Sequence, residues 1–122
     1  MREIKFRAWV KDATTGEWRM CNRVRWLDLD NQRICTESGM QPDEFILMQY
    51  TGLKDRNGRE IYEGDILIGK ENRSIHVVTV VWDRSGYWTY RGYNKKLRGG
   101  YLTDLRRVEV IGNIYENPEL LE

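Results

Sequence analysis

The sequence predicts a mainly β protein built around a small barrel, with additional N-terminal hairpins and one or two short helical turns. Three observations carry this. About eight short runs either alternate apolar with polar residues or are rich in β-branched ones, as half-buried and buried strands require. They follow one another closely, separated by Gly, Asn and Asp turn signals. Sustained apolar periodicity at 3.6 residues is missing, so amphipathic helices cannot supply the core. The 122 residues are long enough to bury a real core and suit a single domain. Within it, residues 1–50 form a β-rich N-terminal part and residues 60–116 the barrel part.

Taken in order, Ile4 to Val10 reads as a strand with Ile4, Phe6, Ala8 and Val10 on one face and Lys5, Arg7 and Trp9 on the other. Lys11 to Gly16 has turn chemistry, and Trp18 to Cys21 returns as the hairpin partner. Val24 to Leu29 and Arg33 to Thr36 form a second pair around Asp30-Asn31-Gln32, and Ser38 to Pro42 is loop. Phe45 to Tyr50 is a short apolar strand. Asn57-Gly58 predicts a two-residue type I′ turn, which needs φ > 0 at both positions. Gly64-Asp65 feeds a strand at Ile66 to Ile68, which Gly69 ends or bulges. Ile75 to Trp82 is the strongest strand, apolar on both faces and so central. Asp83 to Gly86 turns it into Tyr87 to Tyr93. Tyr101 to Arg107 offers a helical turn with Thr103 as a possible cap, Val108 to Tyr115 a last strand, and Asn117-Pro118-Glu119 a helix start. Gly-Asp-Ile-Leu, a long hairpin, a helical turn and a final strand follow the order of an SH3-like barrel, an architectural analogy that carries no role.

Composition excludes some functions. Twenty Lys plus Arg against nineteen Asp plus Glu give no global charge that would recruit nucleic acid or a membrane. There is no apolar leader region and no run of 18 apolar residues, so a cytoplasmic protein without membrane contact is expected. Cys21 and Cys35 lack CxxC spacing and a nearby histidine; two free thiols in a reducing compartment is the plainer reading, a cross-strand disulfide the other. Five Trp and seven Tyr are too many rings for one small core, so most must be half-buried.

Three segments carry a closer resemblance: Ile-Lys-Phe-Arg-Ala-Trp (4–9), the stretch from Met48 to Leu67 containing Gly-Leu-Lys-Asp-Arg-Asn-Gly-Arg-Glu-Ile-Tyr-Glu-Gly-Asp-Ile-Leu, and Val-Ile-Gly-Asn-Ile-Tyr-Glu-Asn-Pro-Glu-Leu-Leu (110–121). In this order they resemble the YopX family of phage and prophage proteins. Gln32 to Asp43 and Lys70 to Ser74 carry no motif residues. The resemblance implies a β-rich fold with an SH3-type component, a phage or prophage origin, and hence the cytoplasm of a bacterial host. It transfers no catalytic residue, because the family has no established activity.

No catalytic constellation can be assembled, and no cofactor is implied. His76, the only histidine, lies inside the strongest strand, where cross-strand packing is its ordinary use. Neither Ser-His-Asp nor Cys-His chemistry can be built from spacing, two Cys and one His do not make a zinc site, and Gly99-Gly100 lacks the strand and helix of a phosphate loop. Asp55, Glu60, Glu63 and Asp65 are oxygen ligands of the kind hard cations take, and would support a metal-dependent enzyme. Turn chemistry and solvated pairing with Arg56 and Arg59 explain them more simply. The second candidate is a basic aromatic region, in which Arg84, Arg91, Lys95, Lys96, Arg98, Arg106 and Arg107 face Asp104 alone. Tyr87, Trp88, Tyr90, Tyr93 and Tyr101 are interleaved. Phosphates need cations and unstacked bases need flat rings, so Arg84, Tyr87, Trp88, Tyr90, Arg91, Lys95, Lys96 and Arg98 are the expected contacts for nucleic acid, or for a host or phage protein. The alternatives are cross-strand packing of the rings, or burial of this surface between copies in a homo-oligomer.

Overall fold

The alternating runs become strands almost throughout. The computed structural model describes residues 5–71, 73–92 and 100–121, and more than half of these are strand. The protein is mainly β, with curled antiparallel sheets that include a half-barrel. Two compact units are present, Met1–Tyr50 and Thr51–Glu122.

In the first unit β1 (Phe6–Lys11) pairs antiparallel with β2 (Trp18–Cys21) on one side and with the first half of β5 (Phe45–Lys54) on the other. β3 (Val24–Asp28) and β4 (Arg33–Thr36) form a separate hairpin. The period-2 pattern sends Ala8 and Val10 to one face of β1, where with Ile34 they form a small core. Cys21, Val24, Leu27, Met40, Phe45 and Leu47 pack around it. Trp9 on the opposite face stacks on Trp18, with ring centroids 6.3 Å apart and planes at 12°. The β3–β4 turn is closed by Asp28, whose Oδ1 accepts the N–H groups of Asp30 and Asn31. Both cysteines are free thiols, Cys35 buried and Cys21 half-buried.

β5 is longer than its apolar run. It continues through Thr51, whose buried hydroxyl donates to the Ile61 carbonyl at 2.7 Å, and its end runs beside β6 (Glu60–Tyr62). The second unit then adds a sheet ordered β10-β7-β8-β9, made of β7 (Asp65–Glu71), β8 (Ser74–Asp83), β9 (Tyr87–Gly92) and β10 (Arg106–Asn113). β8 is an interior strand, as its two apolar faces predict. Leu67, Val78, Val80, Trp88, Tyr90, Val110 and Ile61 make the core of this unit, closed by Leu102 and Leu105 from a single 3-10 turn (Leu102–Asp104) and the residue after it.

Three local expectations are corrected. Asn57-Gly58 is not a type I′ turn, because only Gly58 has positive φ (81°). The Asp55 carboxylate takes the N–H groups of Asn57 and Arg59, and the Gly58 N–H bonds the Asp55 carbonyl. This makes a three-residue loop with a bulged glycine. Gly69 neither ends nor bulges β7, which stays in register with β8 across Gly69 and His76. A Cβ there would sit 2.7 Å from Leu105 Cγ, so the glycine makes room for a core side chain. Thr103 lies inside the 3-10 turn; its N-cap is Tyr101, without a side-chain cap bond. A second 3-10 turn, Pro118–Leu121, follows Asn117 as predicted.

Candidate nucleic-acid interface

The β8–β9 hairpin positions the predicted contacts, and its register divides them. Val80 pairs with Tyr90, Val81 with Thr89, Trp82 with Trp88 and Asp83 with Tyr87. Alternation then puts Trp88 and Tyr90 on the core face, and Tyr87, Thr89 and Arg91 on the outer face. Trp88 is 8% exposed and Tyr90 1%. Their rings therefore fill the core and offer no surface on which a base could stack. The Tyr90 hydroxyl titrates above its ordinary range, first because it is buried and then because it sits beside and bonds the Glu71 carboxylate. The indole N–H of Trp88 has no hydrogen-bond partner among the described residues.

On the outer face Tyr87 meets Tyr101, with ring centroids 4.7 Å apart and planes tilted by 55°. Tyr101 is held there by a bridge to Thr89, whose hydroxyl donates to the Gly100 carbonyl. Tyr101 stays 56% exposed. Arg84 in the hairpin turn and Arg91 near the strand end are both exposed. Val81, Asp83, Arg84, Tyr87, Thr89 and Arg91 contribute to an open hollow of about 530 Å³. Asp83 is the one anion among its described lining residues. Its Oδ1 accepts the Ser85 N–H at 2.8 Å. Its charge and hydrogen bond also hold the Tyr87 hydroxyl protonated to higher pH than usual. Asp83 thus serves the turn and the ring beside it. Lys95, Lys96 and Arg98 lie outside the described residues.

Trp82, which the sequence reading left out, is 46% exposed and meets Trp88 edge-on at 4.8 Å. The signal for it was available: it ends a strand whose preceding alternate positions are core valines, so it projects past the covered part of that face.

The acidic stretch is occupied by the backbone. Asp55, 7% exposed, accepts three N–H groups, from Asn57 and Arg59 and, across the unit, from Val110 at 2.9 Å. Burial pushes its pKa up, but these donors outweigh burial and hold the carboxyl below its ordinary value. Asp65 accepts the Tyr62 N–H at 2.8 Å. Among the described residues no group of three or more His, Cys, Asp or Glu is placed to hold a metal ion. None of the described helices is long and apolar enough to cross a membrane.

Comparison with known proteins adds kinship. Among curated proteins none matches the chain. A crystal structure of protein EF1440 from Enterococcus faecalis is similar to it at 31% identity and a TM-score of 0.65, with all of both chains covered. The family model described as YopX protein matches residues 5–122. With nearly every residue inside that match, and the three motif segments falling in its order, the chain belongs to the YopX family.

Proposed function

We propose that this protein is a non-catalytic accessory module of phage or prophage origin that binds single-stranded nucleic acid on the outer face of the β8–β9 hairpin. The observation that carries the reading is the pairing of the Tyr87 and Tyr101 rings beside the exposed cations Arg84 and Arg91. A ring held from behind and exposed in front is a stacking platform, and stacking contributes about 1–3 kcal/mol per base without demanding a sequence. Cations at the rim supply the phosphate attraction, which falls with salt.

The test is a titration with labelled oligothymidine and a mixed-sequence RNA, each at about 50 and 200 mM salt. Binding at low salt should weaken at the higher one. Tyr101→Ala should lose roughly five- to a hundredfold in affinity. Arg84→Ala and Arg91→Ala should each flatten the salt dependence by about 0.7 in the log–log slope. No retention of either strand at low salt removes the reading. Self-association is the second reading, favoured by Ile75 and Trp82, which are 62% and 46% exposed; light scattering from a monomer at high concentration would count against it.

A further inference from the structure

We propose that the first unit carries a separate binding site, a pocket for an arginine or lysine side chain presented on an extended peptide segment of a partner protein. The pocket has a volume of about 430 Å³ and lies at the start of β2, the β3–β4 hairpin and the start of β5. Trp18, Leu27 and Phe45 give it apolar walls, while Asp28, Asp43 and Glu44 bring carboxylates, and among the described residues no lysine or arginine lines it. That combination is specific in what it accepts. A basic side chain lays its methylene stem along apolar surface and keeps its charge among carboxylates. Phosphates and other anions are repelled, which separates this pocket from the hairpin face of the second unit.

The walls are set before any ligand arrives. Trp18 is braced by its stack on Trp9 and remains 38% exposed. Asp28 is fixed by the N–H groups of Asp30 and Asn31 and by the Asn31 amide, which donates to Oδ2 at 2.8 Å. Glu44 lies 3.7 Å from Lys11 in a pair whose side chains are 61% and 39% exposed, so it can turn to a new cation at little cost. The volume fits the lower part of the range for ligand pockets, roughly 300–1,000 Å³. It holds one long side chain and part of a neighbour.

An extended peptide is favoured over a free amine because β2, which ends the pocket wall at Trp18, is the edge strand of its sheet. An edge strand offers unpaired backbone groups to which a peptide can add while one side chain enters the pocket.

The test is a heteronuclear NMR titration of the full chain with an acetylated, amidated five-residue peptide carrying arginine between two leucines. The same peptide with glutamine in place of arginine, and free propylguanidine, serve as the comparison arms. The arginine peptide should shift the Trp18 indole and the Leu27 and Phe45 resonances, and the glutamine peptide should bind at least about fivefold more weakly. Asp43 and Glu44 are exposed, so Asp43→Asn with Glu44→Gln should leave the spectrum otherwise unchanged and weaken the arginine peptide about tenfold, up to about fivefold per carboxylate. Equal binding of the glutamine peptide, a double variant within twofold of wild type, or shifts confined to other surfaces overturns the pocket. Propylguanidine binding as tightly as the peptide overturns the peptide as occupant.

Discussion

Replacing Asp55 should cost this small protein a large share of its stability. The carboxylate accepts from Asn57 and Arg59 through Oδ1 and from Val110 through Oδ2, each at 2.9 Å. Two of these bonds shape the loop between β5 and β6; the third ties that loop to β10, fifty-five positions along the chain. A hydrogen bond to a charged group contributes about 1.5–3 kcal/mol, and a buried donor left without a partner costs about 1–3 kcal/mol. The three share one side chain and are not additive, so Asp55→Ala should lose about 3–5 kcal/mol. Against a total of roughly 5–15 kcal/mol, that brings the chain near the edge of folding. Asp55→Asn keeps one carbonyl oxygen for the loop but turns its NH₂ toward the Val110 N–H, and should lose about 2–3 kcal/mol. Urea unfolding followed by tryptophan fluorescence measures both. Acid adds an independent check. The folded pKa lies below the ordinary 3.8, so the ionised group stabilises the fold above that pH and the contribution disappears as pH falls through the lower folded value. The gap between wild type and Asp55→Asn should therefore narrow below pH 3.8. An Asp55→Ala variant within about 0.5 kcal/mol of wild type, or a gap that does not change with acid, would refute the reasoning.

Two further outcomes test the packing. Gly69→Ala places a methyl 2.7 Å from Leu105 Cγ and 2.8 Å from Cδ2, and overpacking of this kind should cost about 1–3 kcal/mol in the same urea assay. In a Leu105→Ala background the penalty should largely vanish, since the crowded atoms are gone; an unchanged penalty would mean that backbone flexibility rather than Leu105 selects the glycine. Of the two thiols, Cys21 should react with a disulfide reagent in the native state, while Cys35, 4% exposed, should react only on unfolding. Equal rates for both would contradict the burial difference.

Strand identity was legible because period-2 alternation and turn residues are local properties. Trp18–Cys21 and Arg33–Thr36 agree with the structure residue for residue, and the central place of β8 follows from its two apolar faces. Features set by long-range partners were not legible. The extension of β5 past Tyr50 rests on Thr51 and the Ile61 carbonyl, and the reason for Gly69 lies on Leu105, thirty-six positions away. The Asn57-Gly58 loop was misread for the same cause. An Asn-Gly pair favours a two-residue turn in isolation, but the Asp55 carboxylate captures the Asn57 and Arg59 N–H groups and lengthens the loop by one residue.

The candidate sites show where composition misleads and where geometry corrects it. Residues 84–107 look like one basic aromatic surface when counted, yet a strand cannot show all its side chains to one side. Once Asp83 faces Tyr87, alternation assigns Trp88 and Tyr90 to the core and leaves Tyr87 and Arg91 outside. The acidic stretch reverses the same way. Asp55 and Asp65 resemble cation ligands by type, but a carboxylate already accepting buried N–H groups could turn to a metal only by releasing them, at about 1–3 kcal/mol for each donor stranded. Asp43 and Glu44, which drew no notice as a motif, are the carboxylates left exposed at an apolar hollow. Asp55 and Asp65 differ from Asp43 and Glu44 in that buried backbone donors already occupy their lone pairs.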